Sequence, residues 1–260
     1  MNVKQISKNG WLILVLVSTL LVISCSVQGD TWARVEETGV LRVGIDPTFP
    51  PFEVVDENGN PFGLDVDLLR AVAADLGVEA HFVYFGYDGL YDALLTGQVD
   101  VLASALVVVP ERRKDFDYSD SYFNAGEILL VPVGSEIEGM ADLNGRSLAV
   151  ELGAYGHVEA TTWAKRLPSL TVIPFPSPQE ALTAVAEGQA DAGLVDSVSG
   201  RLFLRDALPL RRVAEPVTVE PYAFVVRIDD QLLLQKLNES LARLEDSEAL
   251  TEIVGRWVGE

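Results

Sequence analysis

Two side chains in this sequence have the chemistry to grip the two ends of a small zwitterion. In "DVLASALVVVPERRK" (100–114) an uncharged run from Val101 to Val109 turns at Pro110 into Arg112, Arg113 and Lys114. A guanidinium can hold a carboxylate by two parallel charge-assisted hydrogen bonds, which an ammonium cannot reproduce. Three adjacent cations cannot all face one way, so Arg112 is the candidate and its neighbours read as solvated. An acid for the opposite end comes from an internal echo. "DALLTGQVDVLASA" (92–105) and "EALTAVAEGQADAGLVD" (180–196) share an Ala-Leu helix, a Gly-Gln turn, an Asp and a short apolar strand. If Asp100 and Asp191 correspond, Ala105 and Asp196 take equivalent places just past the ends of their strands. Asp196 has an alternative role as cap of a helix starting at Ser197.

The elements that must carry these groups alternate along the chain. "LRVGI" (41–45), "HFVYF" (81–85) and "DVLAS" (100–104) read as strands. Between them, 63–77 and 87–97 have helical spacing and end on Gly77 and Gly97. The series continues with strands at 127–133, 146–152, 171–175, 191–196 and 222–228. Helices are expected near 156–166 and 178–187, with two more over 230–258. This order predicts an α/β protein of two similar lobes, each a mostly parallel sheet flanked by helices. In such sheets ligands lie beyond the carboxyl ends of the strands, so a cleft between facing lobes would set Arg112 opposite Asp196.

Charge and cysteine content narrow the setting. With 39 acidic and 19 basic residues the chain has a formal net charge of −20, which disfavours nucleic acid and anionic lipid surfaces. Lys4 and Lys8 precede an apolar run from Trp11 to Ile23, shorter than a comfortable membrane span, which reads as a secretion signal over residues 1–24. "LVISC" then ends at Cys25, the single cysteine, in the manner of a bacterial lipoprotein processing site. Lipid on Cys25 would anchor the body to a membrane face outside the cytoplasm, as lipoprotein or palmitate-type acylation does. Residues 25–37 would form a polar tether with a first helical turn near its end. His81 and His157 stand alone, and no metal or cofactor is expected.

"LRVGIDPTFPPFEVVDENGNPFGLDVDLLRAVAADLG" followed by "VDVLASALVVVPERRKDFDYSDSYF" resembles the bacterial extracellular solute-binding proteins of family 3, which deliver polar amino acids to ABC importers. The likeness spans about residues 38–260. Its motifs are Asp-x-x-Phe-x-Pro-Phe after the first strand, Pro-Glu-Arg after the third, and Ser-Asp-x-Tyr. The resemblance implies a type II periplasmic-binding-protein fold, with 38–125 and 222–260 as lobe 1, 126–221 as lobe 2, and crossovers near 126–130 and 219–224. It implies that Arg112 holds the ligand's α-carboxylate and Asp196 its α-ammonium. Phe49 and Tyr87 would sandwich the aliphatic body, with Phe52 supporting that wall and the Ala105 carbonyl meeting the ammonium. Backbone N–H groups around Ala154 and Tyr155 would reach the carboxylate. Val107 stands where the family has a Ser or Thr; the sequence "ALVVV" has lost the hydroxyls of the usual Gly-Met-Thr-Ile-Thr.

Asp46 and Glu151 add negative charge where the family varies with its ligand, which favours a cationic or polar amino acid. The partners implied are that amino acid and the permease subunits of an importer, with the protein itself a monomer. Similar scaffolds also act as enzymes, for example cyclohexadienyl dehydratases, or as ligand-sensing lipoproteins. The sequence shows an ammonium partner and no general acid near neutrality, so binding without turnover is expected.

Overall fold

Apolar residues over Val40–Ile45 make strand β1 because Leu41, Val43 and Ile45 can all be buried against helices. Strand β1 pairs in parallel with β5 (Glu79–Tyr84) and β6 (Val101–Leu102). Strand β15 (Val225–Arg227) returns from the far end of the chain between β6 and β7 (Phe116–Tyr118), antiparallel to both. The first sheet therefore runs β5-β1-β6-β15-β7. Helices α2 (Leu64–Asp75), α7 (Gln231–Asp246) and α8 (Ala249–Val258) cover one face, and α3 (Leu90–Leu95) covers the other. These elements belong to a computed structural model that describes residues 31–205 and 209–259.

The second sheet, β11-β10-β12-β9-β13, is built from Thr171–Phe175, Ser147–Glu151, Ala192–Asp196, Glu127–Pro132 and Leu210–Arg212 in that order. Strand β10 is parallel to β11 and β12, while β9 runs against β12 and β13. Helices α4 (Tyr155–Ala164), α5 (Pro178–Ala186) and α6 (Ser197–Leu204) accompany it. Each sheet has separate apolar clusters on its two sides, giving the two-lobed α/β architecture. The connecting strands β8 (Phe123–Asn124) and β14 (Pro221–Tyr222) pair side by side. Asn124 Oδ1 ties both crossings, accepting the Gly126 and Glu220 N–H groups at 3.1 and 2.7 Å.

The internal echo has a physical counterpart. Asp100 precedes β6 and accepts the Arg42 N–H of β1 at 2.8 Å; Asp191 precedes β12 and accepts the Ser147 N–H of β10 at the same distance. Each acid thus pins the start of its strand to the neighbouring one. Asp100 also binds the Arg42 and Arg34 guanidinium groups.

Some expectations change. The tether ends earlier than residue 37, because Thr31–Thr38 is a helix, α1, that buries Trp32 and Val35 in the first core. Burying such a side chain stabilises by about 1.5–3 kcal/mol, enough to hold a short helix to the body. The expected strand over 222–228 is two short pieces, and 87–97 is a 3₁₀ turn at Tyr87–Gly89 followed by α3. A small sheet of β2 (Thr48–Phe49), β3 (Glu53–Val55) and β4 (Pro61–Phe62) had no clear signature. It is closed by Gly63 at φ 136°, where a Cβ would sit 2.1 Å from the Phe52 carbonyl oxygen. The leader over 1–24 and the expected lipidation at Cys25 lie outside the described residues.

Candidate functional site

Beyond the carboxyl ends of β1 and β6 lies a hollow of about 400 Å³ lined by Asp46, Thr48, Phe49, Glu53, Tyr87, Ser104, Ala105 and Tyr222. Phe49 and Tyr87 expose 48% and 59% of their surface, large for aromatic side chains. Phe52 lies buried behind Phe49, the rings stacked 5.7 Å apart, and packs edge-on against Tyr222. Val107 is exposed and forms an isolated bridge with Tyr222.

Ala105 has φ 45°, a left-handed backbone that a residue with a Cβ rarely adopts. Its N–H donates to Asp65 Oδ2 at 2.7 Å. Next to it, Ser104 Oγ accepts the Asp46 N–H at 3.0 Å and donates to Glu53 Oε1 at 2.7 Å. Asp65 and Glu53 are almost wholly buried, and desolvation raises the proton affinity of both, that of Glu53 further because Asp65 is beside it. The pair retains a proton at neutral pH, since two adjacent buried carboxylates cannot both ionise. This network fixes the backbone around Ala105 from below.

Across the crossings, at the ends of β10 and β12, a second hollow of about 230 Å³ is lined by Glu127, Glu151, Ala154, Tyr155, Gly156, Asp196 and Glu220, among others. Ala154 and Tyr155 open helix α4, whose first N–H groups favour negative charge. Asp196 is half-buried, and its Oδ1 accepts the Ser199 N–H at 2.9 Å, capping α6. Asp196 therefore takes the capping role read as its alternative, and it also lines this hollow.

Arg112 stands in neither lining. It ends the 3₁₀ turn Pro110–Arg112 with its guanidinium 4.0 Å over the Tyr91 ring, exposed to solvent. The expectation that Arg112 and Asp196 share one cavity is not met in this conformation; the predicted site residues that line a hollow are divided between these two, one in each lobe. The expectation that no acid titrates near neutrality is also corrected. Burial and the neighbouring Asp196, Glu220 and Glu151 push the Glu127 carboxyl up to about 7.

The description "Bacterial extracellular solute-binding proteins, family 3" matches residues 41–260. The chain belongs to this family. Among curated relatives of this family-3 chain, the ABC transporter glutamine-binding protein GlnH of Bacillus subtilis is 27% identical, covering 94% of each chain. Among solved structures, the L-cystine solute receptor of Neisseria gonorrhoeae in its unliganded open conformation is 26% identical, with a TM-score of 0.78 over 89% of this chain and 98% of that one. An ancestral arginine-binding protein bound to arginine is 33% identical but reaches a TM-score of only 0.51, over 85% and 99%. This family-3 protein thus matches an open receptor better than a ligand-bound one that is nearer in sequence.

Sequence reading missed Glu53, Asp65, Ser104, Glu127 and Glu220. A signal existed for two of the acids. Asp65 interrupts the apolar face of α2, and Glu127 shares a strand face with the buried Leu129 and Val131. A carboxylate on a core-facing position is uncommon enough to mark a site.

Proposed function

We propose that this protein captures a polar amino acid, with a cationic one favoured, between its two lobes and delivers it to an ABC importer. The observation that carries the reading is the pair of acid-lined hollows at the strand ends of the two sheets. Exposed aromatics border them: Phe49 and Tyr87 in one lobe, and Tyr155, 54% exposed, in the other. Such rings gain by being covered when a solute bridges the lobes. Asp196 receives the α-ammonium, helped by the Ala105 carbonyl; Arg112 swings from Tyr91 to take the α-carboxylate with the N–H groups at Ala154 and Tyr155. Asp46 and Glu151 face the solute's far end, and Val107 contributes apolar contact. The likeness to an open receptor supports a resting state in which Arg112 and Asp196 are apart, and contact with both lobes supplies the differential binding that closes them. The lobe boundaries are 38–125 with 222–260, and 126–221. The mature chain begins at a lipid-bearing Cys25 on the extracytoplasmic face of the membrane and works as a monomer beside its permease.

A thermal-shift screen of the twenty amino acids on protein lacking residues 1–25 tests this. A solute at a hundred times its Kd adds about 2.7 kcal/mol of stability. A response to one or a few polar amino acids is expected, and its loss in Arg112→Ala. No response to any amino acid, or one unchanged in Arg112→Ala, counts against the reading. Glu127 favours a second reading, an enzyme of the cyclohexadienyl dehydratase kind, because an acid titrating near 7 suits proton transfer. Formation of a new product from prephenate or arogenate would decide for it.

A further inference from the structure

The second hollow collects four carboxylates, Glu127, Glu151, Asp196 and Glu220, in about 230 Å³. The ion pairs of the same lobe, Arg146–Asp191 and Arg211–Glu138, use other acids. Among the described residues, no three acidic, His or Cys groups converge as a metal site. Glu127 differs from the other three by being only 5% exposed. Its Oε2 is buried with no hydrogen-bond partner of ordinary geometry, although the residue lines the hollow. Helix α4 presses close to it. A Cβ on Gly156 would come within 2.6 Å of Oε2, so glycine is what lets the helix start lie against the acid. The groups acting on Glu127 are Asp196, Glu220 and Glu151, all negative, with the Gly156 N–H opposing them.

A buried carboxylate ringed by three others cannot hold its charge unless a cation arrives. We propose that Glu127 is a proton-exchanging specificity residue of the solute site: it carries a proton while the cleft is empty and releases it to solvent when a solute's cationic group enters the hollow. This deepens the reading above and rests on it. The balance is simple: Glu127–COOH plus the solute cation gives a carboxylate–cation pair and one H⁺ in bulk water. The solute class that drives the exchange is an amino acid with an ammonium or guanidinium side chain. Its α-ammonium occupies Asp196 and its second cation reaches Glu127 with Glu151 and Glu220. An amino acid with a neutral side chain brings only the α-ammonium that Asp196 pairs, so Glu127 makes affinity for cationic solutes rise with pH more steeply than for neutral ones. The direction follows from linkage: a cation lowers the proton affinity of Glu127, so binding favours its ionised form and strengthens as pH rises through about 7, the value in the empty site.

Isothermal titration calorimetry with L-arginine, L-lysine and L-glutamine, in phosphate and in Tris at pH 7, reads the protons exchanged from the difference between buffers. Arginine or lysine is expected to release about half a proton per site, and glutamine markedly less. In Glu127→Gln the release disappears and the affinity becomes flat between pH 6 and 8. Carboxyl-carbon NMR titration of the empty wild-type protein is an independent arm and should show Glu127 ionising near neutrality. Release without Glu127, no release with cationic solutes that do bind, or ionisation of Glu127 below pH 5 would each overturn the proposal. If no amino acid binds, the solute reading falls and this proposal with it; if a cationic one binds with no proton released, only this proposal falls.

Discussion

The two lobes repeat one plan but treat their acids differently. In the first, Asp65 is buried beneath the hollow and Glu53 lies at its floor, bonded to the Ala105 N–H and Ser104 Oγ respectively. In the second, four carboxylates, Glu127, Glu151, Asp196 and Glu220, border the hollow, and Glu127 Oε2, like Glu53 Oε2 and Asp65 Oδ1 in the first, has no hydrogen-bond partner of ordinary geometry. Lobe 1 uses its buried acids to set a backbone; in lobe 2 the buried Glu127 is surrounded by three other acids, with the Gly156 N–H opposing them. Exposed aromatics are unequally shared, Phe49 and Tyr87 bordering the first hollow and Tyr155 the second. A rigid apolar wall and a charge-rich counterpart together suit a solute with a greasy stem and charged ends.

Removing charge from the proposed clamp would test this contrast most severely. Arg112 sits exposed on Tyr91 and supports little of the empty fold, so Arg112→Ala should leave the melting temperature nearly unchanged. Calorimetry should nevertheless show affinity falling by a factor on the order of 100 to 1,000, the worth of two charge-assisted hydrogen bonds. An equal loss in apo stability would show that the lobes do not divide labour as described.

The converse is expected of Asp65→Ala. It strips the Ala105 N–H of its acceptor and leaves Glu53 beside a void, costing about 2–4 kcal/mol in urea denaturation. Ligand affinity should fall as well, through a relaxed Ala105 backbone. A change below about 0.5 kcal/mol would mean that the buried pair does not fix that backbone.

The effect of Glu127 on stability depends on pH. Its folded-state value, raised to about 7, lies above its ordinary 4.5, so its contribution is fully present below pH 4.5 and is lost as pH rises through 7. At pH 8, Glu127→Gln should therefore stabilise the empty protein by on the order of 2 kcal/mol, with little change at pH 5. Melting curves at the two pH values check this, and a destabilised variant at pH 8 would contradict it. Smallest of all, Phe49→Ala and Tyr87→Ala should shift apo stability by less than about 0.5 kcal/mol while weakening solute binding roughly tenfold. A large apo destabilisation would make these rings core residues.

Much of the plan was legible in the residues. The alternation of short apolar runs and Gly-ended helices announced an α/β chain, and the echo between 92–105 and 180–196 announced two related halves. Asp100 and Asp191 carry that echo because each meets the same need, an acceptor for an N–H near the start of a neighbouring strand. The small sheet at 48–62 and the helix at 31–38 were less visible. Their strands or turns are too short for periodicity to register, and Trp32 and Val35 count as apolar anchors only once a core exists beside them.

The sequence alone determined the family, the order of the elements and which residues cluster near strand ends, because these follow from local pattern and motif. Tertiary structure decided which acids are hidden and which stay open, and that Arg112 rests on Tyr91 away from Asp196. Burial and interlobe geometry arise from segments far apart in the chain, such as Glu53 with Ser104 and Glu127 with Gly156. A carboxylate's charge is set by the neighbours that folding brings to it, so no reading of spacing could assign the proton at Glu127.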